Sequence, residues 1–239
     1  MGLQNQKVII MGGTSGMGLA TAKAAAAADA AVVITGRDQK KLNKALSDLP
    51  QAVQGEVVDA TQERELRDFY GHMDSFDHLV LAVSGREGAG PFESLPVERL
   101  QRAFVGKFWA QFMAAQMGLS KLRKGGSIVF ITAVSARTPI PGTAGLAAIN
   151  GALEAMIPTL ALELKPTRVN AVSPGVVRTP WWDSLPSEQR EVVFAQTAQS
   201  LPVGRIGKPE DVAEVILLLL QNGFMTGTVI ECDGGIRIK

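Results

Sequence analysis

Runs rich in valine and isoleucine recur along the chain, separated by stretches of helical periodicity. The apolar runs are KVIIM (7–11), AVVIT (31–35), QGEVVD (54–59), HLVLAV (78–83), SIVFIT (127–132), RVNAV (168–172) and TVIECD (228–233). Their near-continuous apolar character predicts strands covered on both faces, as in a parallel sheet. Between them the pattern predicts helices over 18–28, 39–48, 62–70, 96–118, 143–164 and 209–221. Such alternation predicts an α/β fold: a doubly wound parallel sheet of about seven strands with helices on both faces.

No Pro/Gly/Ser linker divides the 239 residues, so residues 1–239 read as one domain. The stretch from Pro180 to Pro209 breaks the rhythm with Trp181, Trp182 and several prolines. An irregular excursion of that length is the expected substrate-covering region, a lid over 180–209. Pro158 is expected to bend or interrupt the helix over 143–164.

Composition narrows the classes of partner. Hydrophobic residues make up 46%, charged residues 20%, and the formal net charge is +1, so a folded chain without nucleic acid or membrane surface as partner is expected. VILLLL (215–220), the longest aliphatic run, falls far short of the roughly 18 residues of a membrane span. The N-terminus shows no basic segment followed by an apolar one, and Cys232 is the single cysteine, which fits a cytoplasmic location. His72 and His78 flank the loop before the fourth strand and suggest no metal.

VIIMGGTSGMGLATAKAAAAA places a glycine-rich turn between the first strand and the first helix. Gly12 allows a sharp turn, Gly16 allows the backbone to approach a pyrophosphate, and Gly18 allows close packing where the helix begins. Unpaired N–H groups and the positive end of the helix dipole suit an anion there. Strand, turn and helix in this order read as a dinucleotide cradle in a Rossmann fold.

The spacing Gly12, Gly16, Gly18 resembles the Thr-Gly-x-x-x-Gly-x-Gly fingerprint of the short-chain dehydrogenase/reductase family, with Met11 in place of threonine. VVITGRD, VVDAT, RVNAVSPGVVRTP and LPVGRIGKPEDVAEVILLLL followed by MTGTVIECDGG extend the resemblance over essentially the whole chain. The resemblance implies a nicotinamide nucleotide held by Gly12, Thr14, Ser15, Gly16, Met17 and Gly18, with Asp59 and Ala60 toward the adenine. Ser84, Asn150, Pro174 and Gly175 would line the site, and Val177 and Thr179 would hold the carboxamide. Asp59 as a strand-end turn and Thr179 as a loop hydroxyl are the plainer readings.

Where NAD-binding members carry an acidic residue after the second strand, this chain has Gly36 and Arg37. Arginine can clamp a 2′-phosphate, so NADP(H) is favoured and NAD(H) is the alternative. Asp38 precedes QKKLNKAL and reads as a helix N-cap.

Members of this family oxidise alcohols or reduce carbonyls with a tyrosine, a lysine, a serine and an asparagine. The same resemblance puts Leu146 at the tyrosine, Asn150 at the lysine, Ala133 at the serine and Gly106 at the asparagine, an atypical member without the usual catalysts. Leu146 also belongs to the helical stripe Leu146, Ile149, Leu153, Met156, Leu160, Leu164. The one tyrosine, Tyr70, is expected at the surface. Thr132, Ser135, Thr138, Thr143, Ser84, Arg86 and Glu87 are candidate replacements, each as readily a capping or solvated residue, and no catalytic residue is assigned.

The expectation is therefore an NADP(H)-binding oxidoreductase with an atypical site for a small apolar carbonyl or alcohol-type substrate. A catalytically silent nucleotide-binding sensor or partner subunit is the alternative, and a structural subunit without cofactor a third. Phe104, Phe108, Trp109 and Phe112 give the helix over 96–118 a bulky face. Relatives assemble through that helix and the one over 143–164, so a homodimer or homotetramer is expected.

Overall fold

The computed structural model describes residues 2–85 and 87–238. Seven strands, β1 (Lys7–Met11), β2 (Ala31–Gly36), β3 (Gln54–Val57), β4 (Phe76–Leu81), β5 (Leu122–Ile131), β6 (Arg168–Pro174) and β7 (Val229–Cys232), form one parallel sheet in the order β3-β2-β1-β4-β5-β6-β7. The helices are α1 (Gly16–Ala27), α2 (Gln39–Ser47), α3 (Glu63–His72), α4 (Val97–Phe104), α5 (Ala110–Gly118), α6 (Ala144–Glu163), α7 (Ser187–Ser200) and α8 (Pro209–Gln221).

The pleat explains the continuous apolar strands. Ile9 and Met11 of β1 enter the core on one face, with Leu66, Phe69 and Ala114, while Val8 and Ile10 enter the other, with Ala22 and Ile216. Helices α1, α2 and α8 cover the second face and α3, α5 and α6 the first. By length and composition α6 would span a membrane. Its Ile149, Leu153 and Ile157 are nevertheless buried in the domain, the position of a core helix.

Four expectations need correction. The stretch 180–209 is not irregular: it holds a 3₁₀ turn (Pro180–Ser184) and the 14-residue α7. Its prolines sit outside the helix, Pro186 before Ser187 and Pro202 after Ser200, so they bound it instead of breaking it. Helix α6 also runs through Pro158 without interruption, flanked by buried Ile157 and Ala161.

Tyr70 is buried, not exposed. Its ring packs beside Phe69 and Phe76, and its hydroxyl donates to the Ala114 carbonyl at 2.9 Å. His78 lies within β4 rather than beside the preceding loop, because the strand begins at Phe76, paired with Leu122. Asp38 is the N-cap of α2, accepting from the Lys41 amide at 3.0 Å.

Helices α4 and α5 are joined end to end by a π turn, Val105–Trp109. That turn feeds directly into the site.

Candidate active site

The sheet order reverses between β1 and β4, and a cavity of about 1300 Å³ opens over the carboxyl ends of the strands there. It is large enough for a dinucleotide together with a small substrate. Every candidate nucleotide residue named from the sequence, from Gly12 to Thr179, lines it, as do Gly106, Ala133, Leu146 and Asn150. Thr132, Ser135, Thr138, Thr143, Ser84 and Glu87 line it too. Arg86 lies outside the described residues. The two histidines are elsewhere: His72 pairs with Glu56, and His78 is held between Ser127 and Gln6.

The glycines are required by geometry. Gly12 has φ +84, and a Cβ there would stand 2.9 Å from the Ala82 carbonyl carbon. A Cβ on Gly18 would fall 2.2 Å from the Gly12 oxygen, so only glycine lets α1 start against the strand end. Ser15 is the N-cap of α1 but makes no capping bond with its side chain, leaving the helix's first amides free for an anion.

At the far end of β2, Arg37 is exposed and has no hydrogen bond or ion pair with any described residue. Asp59 is engaged locally, its carboxylate accepting from the Thr61 amide at 3.0 Å and hydroxyl at 2.8 Å. The strand-end turn is thus present, at the cavity's edge.

At the other end the walls are apolar, with Leu146, Ile149, Ile140, Val193, Trp181 and Trp182. Asn150 donates to Ser135 Oγ at 3.1 Å and to the Leu146 carbonyl at 2.9 Å. Its Oδ1 is buried without a partner among the described residues, an acceptor suited to a ligand hydroxyl. Glu87 is spent in an ion pair with Arg102 at 3.0 Å.

Sequence reasoning passed over two charged residues. Lys107, in the π turn, lines the cavity and donates from Nζ to the Thr132 carbonyl at 3.1 Å. Burial pulls its ammonium down from the ordinary lysine value to about 8, opposed by the nearby Glu154 carboxylate. Glu154, buried on α6, accepts from the Thr132 hydroxyl at 2.8 Å and from Arg137 Nε at 2.6 Å. The available signal was a lysine and a glutamate interrupting otherwise apolar helical stretches, FVGKFWA and GALEAMI. Gly106, by contrast, offers no side chain and backs onto Gly85.

A doubly wound sheet with a glycine cradle at its switch point defines a nucleotide-binding α/β protein. The family model described as enoyl-(acyl carrier protein) reductase matches residues 12–237, and the chain belongs to the short-chain dehydrogenase/reductase family of oxidoreductases. A small-chain dehydrogenase crystallised with NADPH is 31% identical, with TM-score 0.83 and 98% and 99% of the two chains covered. The NADPH-bound short chain oxidoreductase of Pseudomonas aeruginosa PAO1, described as containing an atypical catalytic center, is 27% identical, with TM-score 0.90 over 100% and 99%. The MalC reductase/Diels-Alderase of Malbranchea aurantiaca is 29% identical, with TM-score 0.90 over 99% and 98%.

Proposed function

We propose that this chain is an NADP(H)-dependent oxidoreductase with an atypical active site, acting on a small, largely apolar carbonyl or alcohol-type substrate. The observation that carries the reading is the continuity of one cavity. An uncapped helix start and the unpaired Arg37 stand at one end, and an apolar chamber closed by Trp181 and Trp182 at the other. Such a cofactor supplies a hydride at its nicotinamide ring, or accepts one.

The first amides of α1 would bind the pyrophosphate, and Arg37 the 2′-phosphate. Asn150 Oδ1 would accept from a ribose hydroxyl. Val177 and Thr179 would hold the carboxamide, and Leu146 and the tryptophans would exclude water. Holding the two reactants in register removes much of the barrier. The missing tyrosine costs on the order of 10²- to 10⁴-fold if nothing replaces it. We read the protein as cytoplasmic and as a homodimer or homotetramer.

Calorimetry with NADPH and NADH, followed by NADPH oxidation across carbonyls, imines and quinones, tests the reading. Tight NADPH binding with turnover supports it. Tight binding without any turnover would favour the silent sensor or partner subunit, and absence of binding to either nucleotide would overturn both. Combining Leu146→Tyr, Asn150→Lys and Ala133→Ser separates the two binding readings further: a gain in activity marks a blank natural site, a loss marks a working alternative mechanism.

A further inference from the structure

We propose that Lys107 is a catalytic residue, the proton donor to the substrate oxygen in place of the absent tyrosine. The inference rests on the oxidoreductase reading above. The family asparagine, serine, tyrosine and lysine are replaced here by residues that carry no dissociable proton near neutral pH. Lys107 is the titratable amine that the structure brings to the same end of the cavity.

Its position follows from the π turn. The extra residue in that turn re-aims the side chains at the α4–α5 junction, and such turns gather at functional sites. The Nζ reaches the carbonyl of Thr132, the residue immediately before Ala133. An ammonium has three N–H donors, and this bond uses one. The other two have no hydrogen-bond partner among the described residues. A half-buried ammonium left in that condition beside a cavity is poised for a ligand oxygen.

Among the described residues the surrounding charges are few. From α6, Glu154 supports the ammonium but is itself held by Thr132 and Arg137, and Arg137 is further paired with Glu231. Across the cavity, Glu87 is tied to Arg102. Glu154 favours the charged amine, and among the described residues no ion pair locks the ammonium away from a substrate.

In reduction, the carbonyl carbon receives the hydride, the C=O π bond breaks, and the oxygen takes a proton from Nζ. Alcohol and oxidised nicotinamide result, with a neutral amine that regains its proton from water. Oxidation runs the same steps backwards, with the neutral amine accepting the alcohol proton. With the amine titrating near 8, reduction should hold its rate below about pH 8 and fall about tenfold per pH unit above it. Oxidation should instead rise with pH up to about 8 and level off above it, where the amine is already neutral.

The test combines three measurements. In [ζ-15N]lysine NMR of the unsubstituted protein, Lys107 should titrate well below the other lysines; titration alongside them would overturn the proposal. In single-turnover oxidation of NADPH by 9,10-phenanthrenequinone and a panel of aryl ketones, Lys107→Met should slow hydride transfer roughly 10²- to 10⁴-fold and remove the alkaline fall. NADPH affinity should stay within about threefold, since the lysine acts on the substrate oxygen.

Lys107→Arg guards against misfolding, because it can keep the charge and the bond to Thr132. It should turn over slowly with no alkaline break, since guanidinium does not release its proton. A Lys107→Met protein with the wild-type rate and alkaline break would overturn the lysine's role and leave the oxidoreductase reading standing. A wild type that binds NADPH and reduces nothing in the panel would overturn both.

Discussion

The indole N–H of Trp181 donates to the carbonyl of Gly85 at 3.0 Å, joining two segments 96 residues apart across the cavity. One belongs to the turn ahead of α7, the other to the loop after β4. Its neighbour Trp182 donates to the Val177 carbonyl at 3.0 Å and packs edge-on against Phe194 of α7. The segment expected to cover the site is thus latched by one tryptophan and rooted by the other. Trp181→Phe keeps the aromatic wall and deletes the latch, a loss of about 1 kcal/mol. NADPH dissociation, followed by stopped-flow fluorescence, should quicken several-fold with little change in thermal midpoint. An unchanged dissociation rate would show that the latch is idle.

Arg37 has no partner among the described residues at the end of β2, while Asp38 beside it is occupied as the α2 cap. A 2′-phosphate contacted there gains charge-assisted hydrogen bonds worth about 1.5–3 kcal/mol. Arg37→Ser should therefore weaken NADPH about tenfold or more and leave NADH nearly unaffected. Calorimetry with both nucleotides checks the difference, and equal weakening of the two would place the 2′-phosphate elsewhere.

These two residues differ in how visible they are before folding. Arg37 is legible because its place is set locally, by a strand, a glycine turn and a following helix. The seven strands are legible for a related reason: burial on both faces leaves an apolar run that no solvent-facing alternation interrupts. The partner of Tyr70, the Ala114 carbonyl, lies 44 residues away. Nothing within the helix ERELRDFYGH discloses it. Helix α7 was hidden because only Phe194 of its residues is fully buried, and the bounding prolines read as disorder of the pattern. Lys107 was hidden because its meaning depends on Thr132, which comes from another strand end.

Two glycines give a paired test of the cradle. Gly18→Ala forces a methyl into the Gly12 carbonyl oxygen, whereas Gly71 near the end of α3 has nothing within 4 Å of its would-be Cβ. Overpacking of this kind costs about 1–3 kcal/mol, and relieving it would spread the phosphate cradle. Gly71→Ala should instead stabilise by about 0.5–1 kcal/mol, through helix propensity and lost unfolded-state freedom. Urea unfolding with NADPH titration should show Gly18→Ala less stable and unable to bind, and Gly71→Ala more stable with binding intact.

Along α4, the π turn and α5, Phe104, Phe108, Trp109 and Phe112 form a connected aromatic ridge, with centroid separations from 5.0 to 6.0 Å. Trp109 remains 47% exposed in the single chain. A ridge of this kind is suited to burial against a second copy. Sedimentation at micromolar concentration should give a dimer or tetramer, and Trp109→Glu should shift it toward the monomer. A monomeric wild type would remove the assembly from consideration.

The buried His78 sets an acid limit on stability that is separable from the site. Its Nδ1 meets Ser127 Oγ and its Nε2 meets Gln6 Oε1, each at 2.8 Å. Burial, aided by the positive charge of Arg168 and opposed by Asp77, lowers its pKa from 6.5 to about 4. The folded state therefore holds the neutral ring, while the unfolded chain takes up a proton below about 6.5. Proton uptake by the unfolded chain alone drains stability as pH falls from about 6.5 toward 4, by about 3 kcal/mol at most. Below that the two states are protonated alike, and this contribution stays flat. His78→Gln keeps a polar side chain at the site and cannot titrate. Its urea midpoint should be lower than wild type at pH 7 but should vary less between pH 6.5 and 4.5. A wild type with equal midpoints at those two pH values would show that the folded ring takes up its proton as readily as the unfolded chain does.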